Sequence, residues 1–508
     1  MNPQVLIAGA GPTGLVLALW LARLGVPLRI VDKNDGPGQA SRAMAVQART
    51  LELYRQLGFA DETVRRGIKV DGLRLWEGNR QVGAFRLGTI GEGLSPFPFI
   101  LSFPQDDHER LLVEQLTVAG IEVEWNTELT GFTDTGDRVQ ATLRNGGAEE
   151  SCEVAYLCGC DGAHSVVRHG FTLGFPGGTY EQLFYVADVQ ATGEAADGSF
   201  SMCLDAQDSC AVLPVRSSGT QRLIGIVPEA IAQRQSVAFP DIRPVVERVA
   251  GIHVQQVNWF STYRVSHRVA EHFRSGRIFI AGDAGHIHTP VGGQGMNTGI
   301  GDAVNLSWKL AHVLQDRADP SLLDSYEVER IAFARSLVGT TDKAFQVMAG
   351  RNVAARTFRI LLPHLMPFVL GFSAVQKLEF RTLSQTRINY RESPISAGKA
   401  GDIHGGDRLP WVDGPQGDNF EPLKAIDWQV HVYGTAGQAL RDTVQHRGLA
   451  LHEFTWSDQA QVAGLRRDAL YLVRPDGYVA LAEADQDTEQ LQRFLAKFAI
   501  PSQGRATA

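Results

Sequence analysis

The strongest constraint on the fold of this 508-residue chain is the glycine pattern Gly9-Ala-Gly11-Pro12-Thr13-Gly14. It lies between a short apolar β-rich run, Val5 to Ala8, and a stretch with helical spacing, Pro12 to Leu24. A buried parallel strand reads as such an apolar run. Gly9 permits the tight turn out of the strand, Gly11 lets backbone approach a pyrophosphate, and Gly14 allows close helix–strand packing. A phosphate placed there meets the positive end of the helix dipole. Gly25 stops the helix, Leu28 to Val31 forms the next strand, and Asp32 closes it with an acid suited to ribose hydroxyls. The opening therefore reads as a complete βαβ unit for a dinucleotide.

Two later apolar runs end the same way. Val154 to Leu157 leads into Cys160-Asp161-Gly162-Ala-His-Ser165-Val-Val-Arg168, an Asp-Gly turn opening a helix. Arg277 to Ala281 leads into Gly282-Asp283-Ala-Gly-His286-Ile-His288-Thr-Pro290-Val-Gly-Gly293-Gln-Gly295-Met296-Asn297, followed by Asp302 and Asn305. The last segment offers a carboxylate for polyol hydroxyls and a cluster of backbone N–H donors able to face a ring system. No second clear dinucleotide fingerprint occurs, so a nicotinamide would visit without a Rossmann unit of its own.

Taken together, these segments resemble the group A flavoprotein aromatic hydroxylases, the family of p-hydroxybenzoate, phenol and polyketide hydroxylases, over about residues 3–395. The resemblance implies an FAD-dependent monooxygenase that uses NAD(P)H and O2 to hydroxylate a phenolic or polycyclic aromatic substrate through a flavin C4a-hydroperoxide. It implies that Gly9, Gly11, Pro12, Thr13, Gly14, Asp32 and Lys33 hold the ADP half of FAD. It assigns Asp161 and Gly162 to both FAD and nicotinamide, and Asp283 to the ribityl or pyrophosphate moiety. Pro290, Gly293, Gly295, Met296 and Asn297 would lie against the isoalloxazine. Arg42, with Arg49 as second choice, is similar to the arginine the family brings to FAD, and Gln105 to its flavin-side-chain glutamine. Phenol-hydroxylase relatives place an aspartate where Met44 stands, which turns the expectation toward bulkier, already acidic or polycyclic substrates. Other flavin oxygenation (Baeyer–Villiger type) or dehydrogenation on the same scaffold is the alternative, and flavin binding without catalysis a third.

The resemblance implies an α/β fold: a Rossmann-type FAD-binding domain with an inserted β-sheet substrate domain, a helical region and a C-terminal thioredoxin-like α/β domain. The expected boundaries are 1–174 with 266–395 for the FAD-binding and helical parts, 175–265 for the β-rich substrate domain, and 396–508 for linker and tail. Residues 42–60 and a stretch within Ser102–Val118 read as helices, Asn145-Gly-Gly as a hairpin turn, 175–265 as strands without a long helical period, and 300–390 as helical. Tyr471 to Ala480 matches the terminal hairpin of the thioredoxin-like appendage, and residues 401–508 contain no cysteine, which excludes redox exchange by the tail. Packing or dimer formation is its expected role, so a homodimer stays open.

Candidates for proton handling near the substrate are Arg216, Arg222 and Tyr185, with Tyr263 and His267 beside them. His286 and His288 stand two apart in a glycine-rich turn without an acid or cysteine constellation, so no metal is expected. Five cysteines with no C-x-x-C pair point to buried thiols in a reducing compartment. A net charge of −8 gives no attraction to nucleic acid or anionic membrane. The apolar stretch from Ile360 to Val375 carries Pro363, His364 and Pro367 and is too short to span a bilayer, so a cytoplasmic protein is expected.

Overall fold

The computed structural model describes all residues except 1, 40–42, 79, 89, 172–173, 206–207, 217, 290, 350–372, 416 and 501–508, and describes 291, 343–349 and 373–374 by their backbone alone. The Ile360–Val375 stretch falls largely outside the described residues. Among the described residues no helix is long and apolar enough to cross a membrane. The helices needed below are α1 (Pro12–Arg23), α2 (Ala48–Leu57), α3 (Gln105–Val118), α4 (Phe239–Ala250), α5 (Gly295–Leu314) and α6 (Asp324–Ala349).

The three apolar runs are adjacent parallel strands. Val5–Ala8 lies between Leu28–Val31 and Tyr156–Gly159, and Tyr156–Gly159 pairs in turn with Ile278–Ile280. Val5–Ala8, Tyr156–Gly159 and Ile278–Ile280 are buried throughout, as a strand covered on both faces must be. Because they are parallel and adjacent, their glycine turns leave the same edge of the sheet, where ligands of open α/β folds collect. Asn145-Gly146-Gly147-Ala148 forms the expected hairpin, with φ of +56° at Gly146 and +94° at Gly147.

The second large sheet has eight strands and departs from expectation twice. It is not confined to 175–265, because Gly72–Glu77 and Arg80–Arg86 complete it, Gly72–Glu77 pairing parallel with Phe200–Leu204. It also carries a twelve-residue helix, α4, in a region expected to lack one. Phe239, Ile242, Val246 and Val249 bury one helical face, each contributing about 1.5–3 kcal/mol. Pro240 and Pro244 mask that periodicity in the sequence. The face of the sheet beneath α4 is a closed core that includes Tyr185, Cys203, Cys210 and Leu223.

Beyond residue 396 a mostly buried sheet is built from Gln429–Tyr433 parallel to Ala450–Phe454, then Leu470–Val473 and Val479–Glu483 antiparallel. This βαβ unit followed by a helix, a hairpin and a last helix has the thioredoxin topology. It docks through a buried polar seam. Arg474, fully buried, donates to both carboxylate oxygens of Glu329 (2.8 and 3.1 Å) and to Asp476 (3.0 and 2.6 Å). Lys309 reaches Glu329 at 2.9 Å, and Trp308 donates to Asp476 at 3.1 Å and packs edge-on to Trp428. Burial alone would lift the Glu329 carboxyl, but Arg474 and Lys309 hold it well below the usual range, while burial pushes Lys309 down to about 8. Removing one member of such a cluster leaves an uncompensated buried charge. Arg474→Ala should therefore cost about 3–5 kcal/mol in urea unfolding; a loss under about 1 kcal/mol would mean the seam is hydrated. Since the folded Glu329 carboxyl lies below its unfolded value, its contribution is complete above the unfolded value, near pH 4.5, and is lost as pH falls further.

Candidate functional site: a flavin cleft at the strand ends

The three turns touch. A Cβ on Gly9 would lie 2.3 Å from the Cys160 carbonyl oxygen, and one on Gly14 only 1.9 Å from that of Gly9. The Thr13 hydroxyl sits between Gly282 and Gly299, where added Cβ atoms would approach it to 2.6 and 2.3 Å. Arg168 donates to the Ala284 carbonyl at 3.0 Å and so ties the second turn to the third. No added Cβ would meet anything within 4 Å at Gly11, which leaves that backbone open to an incoming group. Pro12 occupies the first turn of α1, and no side chain caps the helix, so its leading N–H groups face the opening.

A cleft of about 260 Å³ opens here, lined by Gly9, Gly11, Asp32, Lys33, Asp161 and Gly162 among others. Asp32 accepts from Ala10 N at 2.7 Å and Asn34 N at 2.9 Å, which fixes its carboxylate at the cleft wall; Lys33 is exposed beside it. Asp161 Oδ2 accepts from Val166 N and Val167 N, at 2.7 and 3.2 Å, while its buried Oδ1 has no partner among the described residues. An unpartnered buried carboxylate oxygen beside an open, uncapped helix start fits a ligand that carries both hydroxyls and phosphates. The sequence reading missed Glu109, four residues after Gln105 on one face of α3. It accepts from Gly38 N (2.7 Å) and Gln105 Nε2 (2.8 Å), and burial pushes its carboxyl up. Gln105 Oε1 in turn accepts from Ala43 N at 3.3 Å.

In the third turn Asp283 is exposed, whereas Asp302 behind it is fully buried. Asp302 accepts from Gly282 N (2.9 Å), pairs with His286 Nε2 (2.7 Å) and takes Arg330 Nε at 2.5 Å. Burial alone would lift this carboxyl, but Arg330 and His286 keep it below its ordinary value. His288 donates from Nδ1 to the Thr289 carbonyl at 2.8 Å, and burial pushes its pKa down to about 4. These occupations give both histidines roles in shaping the turn. Gly292 and Gly293 take φ of +78° and +62°, and Gly293 packs against Ala45, where a Cβ would come within 2.7 Å. The Asn297 side chain is satisfied by the protein: Oδ1 accepts from Gln47 N (2.9 Å) and Thr50 Oγ1 (2.7 Å), and Nδ2 donates to the Ala45 and Gly293 carbonyls. Only its backbone remains for a ligand. Gly295, Met296 and Asn297 form the first turn of α5, which no side chain caps, so their N–H groups are available. These residues suit an isoalloxazine whose electron-rich edge needs donors.

The proton-handling candidates scatter. Tyr185 lies on the sheet face under α4, opposite Gly225 and among Cys203 and Cys210, so the structure does not bring it together with Arg222. The reason is strand alternation, which the sequence could not orient without knowing which face α4 covers. Arg222 lies on the other face, fully buried, and donates to Asp188 at 2.7 and 2.9 Å. Arg216 bridges to Asp106, at 2.6 Å, and to Asp107 at the start of α3, clamping the eight-stranded sheet to that helix. Tyr263 shares the Arg222 face and packs on Phe184, and His267 faces Asp342 with its Nδ1 3.7 Å from Oδ1. Arg49 donates to the Asp476 carbonyl (2.5 Å) and Glu52 (3.1 Å) and lies over Tyr478, which turns its guanidinium toward the tail. Arg42 and Pro290 lie outside the described residues. Met44 is buried.

A family profile described as "FAD binding domain" matches residues 2–341, and the chain belongs to this family of flavoproteins. Among curated relatives, it is 35% identical to 6-methylpretetramide 4-monooxygenase of Streptomyces rimosus, over 94% of this chain and 90% of that protein. It is also 35% identical to dialkyldecalin synthase of Streptomyces rugosporus, over 67% of this chain and 72% of the other. Among solved structures, the OxyS anhydrotetracycline hydroxylase of Streptomyces rimosus superimposes with a TM-score of 0.80 at 29% identity, covering 99% of this chain and all of that one.

Asp283→Ala removes an exposed carboxylate at the turn and should weaken FAD binding by about 1.5–3 kcal/mol, measured by flavin fluorescence quenching; undiminished affinity would disqualify the third turn as a ligand. His288 should stay neutral over ordinary pH, so its ring NMR signals should not titrate between about pH 5.5 and 8.

Proposed function

We propose that this flavoprotein is an NAD(P)H- and O2-dependent monooxygenase that hydroxylates a polycyclic phenolic substrate. FAD, reduced by the nicotinamide, supplies the oxygen-activating chemistry. The residues of the chain bind it, orient the substrate and exclude water.

The observation that carries the substrate class is the inner face of the eight-stranded sheet. Met202, Ala211, Ile224 and Val186 stand directly opposite one another across four strands and form a flat apolar row. Met202, Ala211 and Ile224 are only partly covered. In the next row Leu213, Arg222, Asp188 and Trp259 are aligned. The far end of this face meets α6 at His267, and α6 also packs against the turn Val291–Gly293. An apolar floor several side chains wide suits a fused ring system lying flat against the flavin turn, where a single phenol would leave much of it wet. The Arg222–Asp188 pair is a fixed dipole beside that floor. The N–H groups at 295–297 offer preorganised stabilisation of negative charge on a flavin, a donor set worth about 3–4 kcal/mol per well-placed group.

The test is substrate-stimulated NADPH oxidation over phenols, naphthoquinones and polycyclic aromatics under 18O2. One labelled oxygen in a ring hydroxyl of a polycyclic product is expected. Label in a lactone would favour Baeyer–Villiger chemistry, oxidation without label a dehydrogenase, and turnover without NADPH consumption a cyclising role.

A further inference from the structure

The tail docks on α2, and α2 is also the element that holds the third turn. One side of α2 and the residue before it reach the flavin side: Thr50 Oγ1 and Gln47 N both donate to Asn297 Oδ1. Its other buried polar groups reach the tail. Arg49 donates to the Asp476 carbonyl, Gln56 to the carbonyls of Leu423 and Pro475 at 3.0 Å each, and Glu52 pairs with Arg408. A second route runs through α6, where Glu329 takes Arg474 while its neighbour Arg330 holds Asp302 and the Thr298 carbonyl. Arg330 also donates to the Tyr390 hydroxyl, and the Tyr390 ring packs on Tyr478 at 4.5 Å. Both routes start from one hairpin, Arg474 to Tyr478. Between it and Asn297 lies a small cavity of about 20 Å³ lined by Arg49, Thr50, Asn305, Arg330 and Asp476 among others, room for a single bridging water.

We propose that Arg49 is a positioning residue for the flavin: by clamping α2 to the Asp476 carbonyl it holds Asn297, and so the 293–297 turn, in its ligand-ready geometry. The cysteine-free tail then serves as a brace behind the cofactor site. This inference rests on the reading of that turn as the flavin seat. Buried side chains in one polar network couple, so displacing α2 moves every acceptor it feeds.

The full-length chain tests this with Arg49→Ala, the conservative Arg49→Lys, and Arg317→Ala as a control. Arg317 pairs with Asp427 at 2.7 Å on the same seam but away from α2. FAD dissociation constants from fluorescence quenching and amide hydrogen exchange of the cofactor-free protein are the readouts. Arg49→Ala should weaken FAD about tenfold and speed exchange at residues 295–300. Arg49→Lys should recover part of the affinity, and Arg317→Ala should shift it less than about twofold. Wild-type affinity in Arg49→Ala, or equal weakening in Arg317→Ala, overturns the proposal. Should Arg49→Ala fail to fold, Arg49→Lys is judged against wild type by the same two criteria. A wild-type chain that takes up no FAD would instead overturn the flavin reading itself.

Discussion

Three parallel strands end side by side, and the backbones leaving them approach so closely that no side chain fits between. Gly9 lies against the Cys160 carbonyl, Gly14 against Gly9, and Gly282 and Gly299 enclose the Thr13 hydroxyl. Every other feature of the cleft depends on that contact. It holds the three turns side by side, with Asp32 and Asp161 on the wall of the cleft, and leaves Gly11 open toward it. Any Cβ at the touching positions would push the turns apart by an ångström or more, and the polar groups would no longer address one molecule.

Behind the cleft, buried charge does what glycine does in front. Asp302 fixes the third turn through Gly282 N and is itself held by His286 and Arg330. Glu329, next to Arg330 in α6, belongs to the fully enclosed cluster with Lys309 and Arg474. Such clusters cost desolvation and return it only when every member is paired in good geometry. They therefore select one arrangement of the tail against α2, α5 and α6. The apolar inner sheet face, by contrast, is specified loosely: it offers area and flatness with few polar groups to fix orientation.

Much of the site was readable because each turn is local. Gly9 to Gly14, Asp161-Gly162 and Gly282-Asp283 announce themselves by glycine and acid at the end of an apolar run, and short-range sterics oblige them to turn there. Less was readable wherever two distant segments had to be oriented. Tyr185 and Arg222 differ by strand parity alone, and parity acquires meaning only once α4 covers one face. Arg49 and Arg42 look alike along the chain, yet Arg49 belongs to the Asp476 hairpin more than 400 residues away. Glu109 gave no signal beyond its helical spacing from Gln105. Gly72–Arg86 joined the large sheet from outside its expected limits because pairing partners in a sheet need not be neighbours in sequence.

The amino-acid sequence by itself determined the βαβ opening, the three glycine-acid turns and hence the kind of cofactor that can be held, since these follow from backbone sterics and hydrogen-bonding groups a few residues apart. Tertiary structure alone decided which face of the eight-stranded sheet α4 covers, which arginines are consumed in pairing, and that the tail is locked to the helix that holds the third turn. Those are outcomes of long-range packing, in which the partner of a buried charge or the cover of a strand face comes from hundreds of residues away and leaves no local trace.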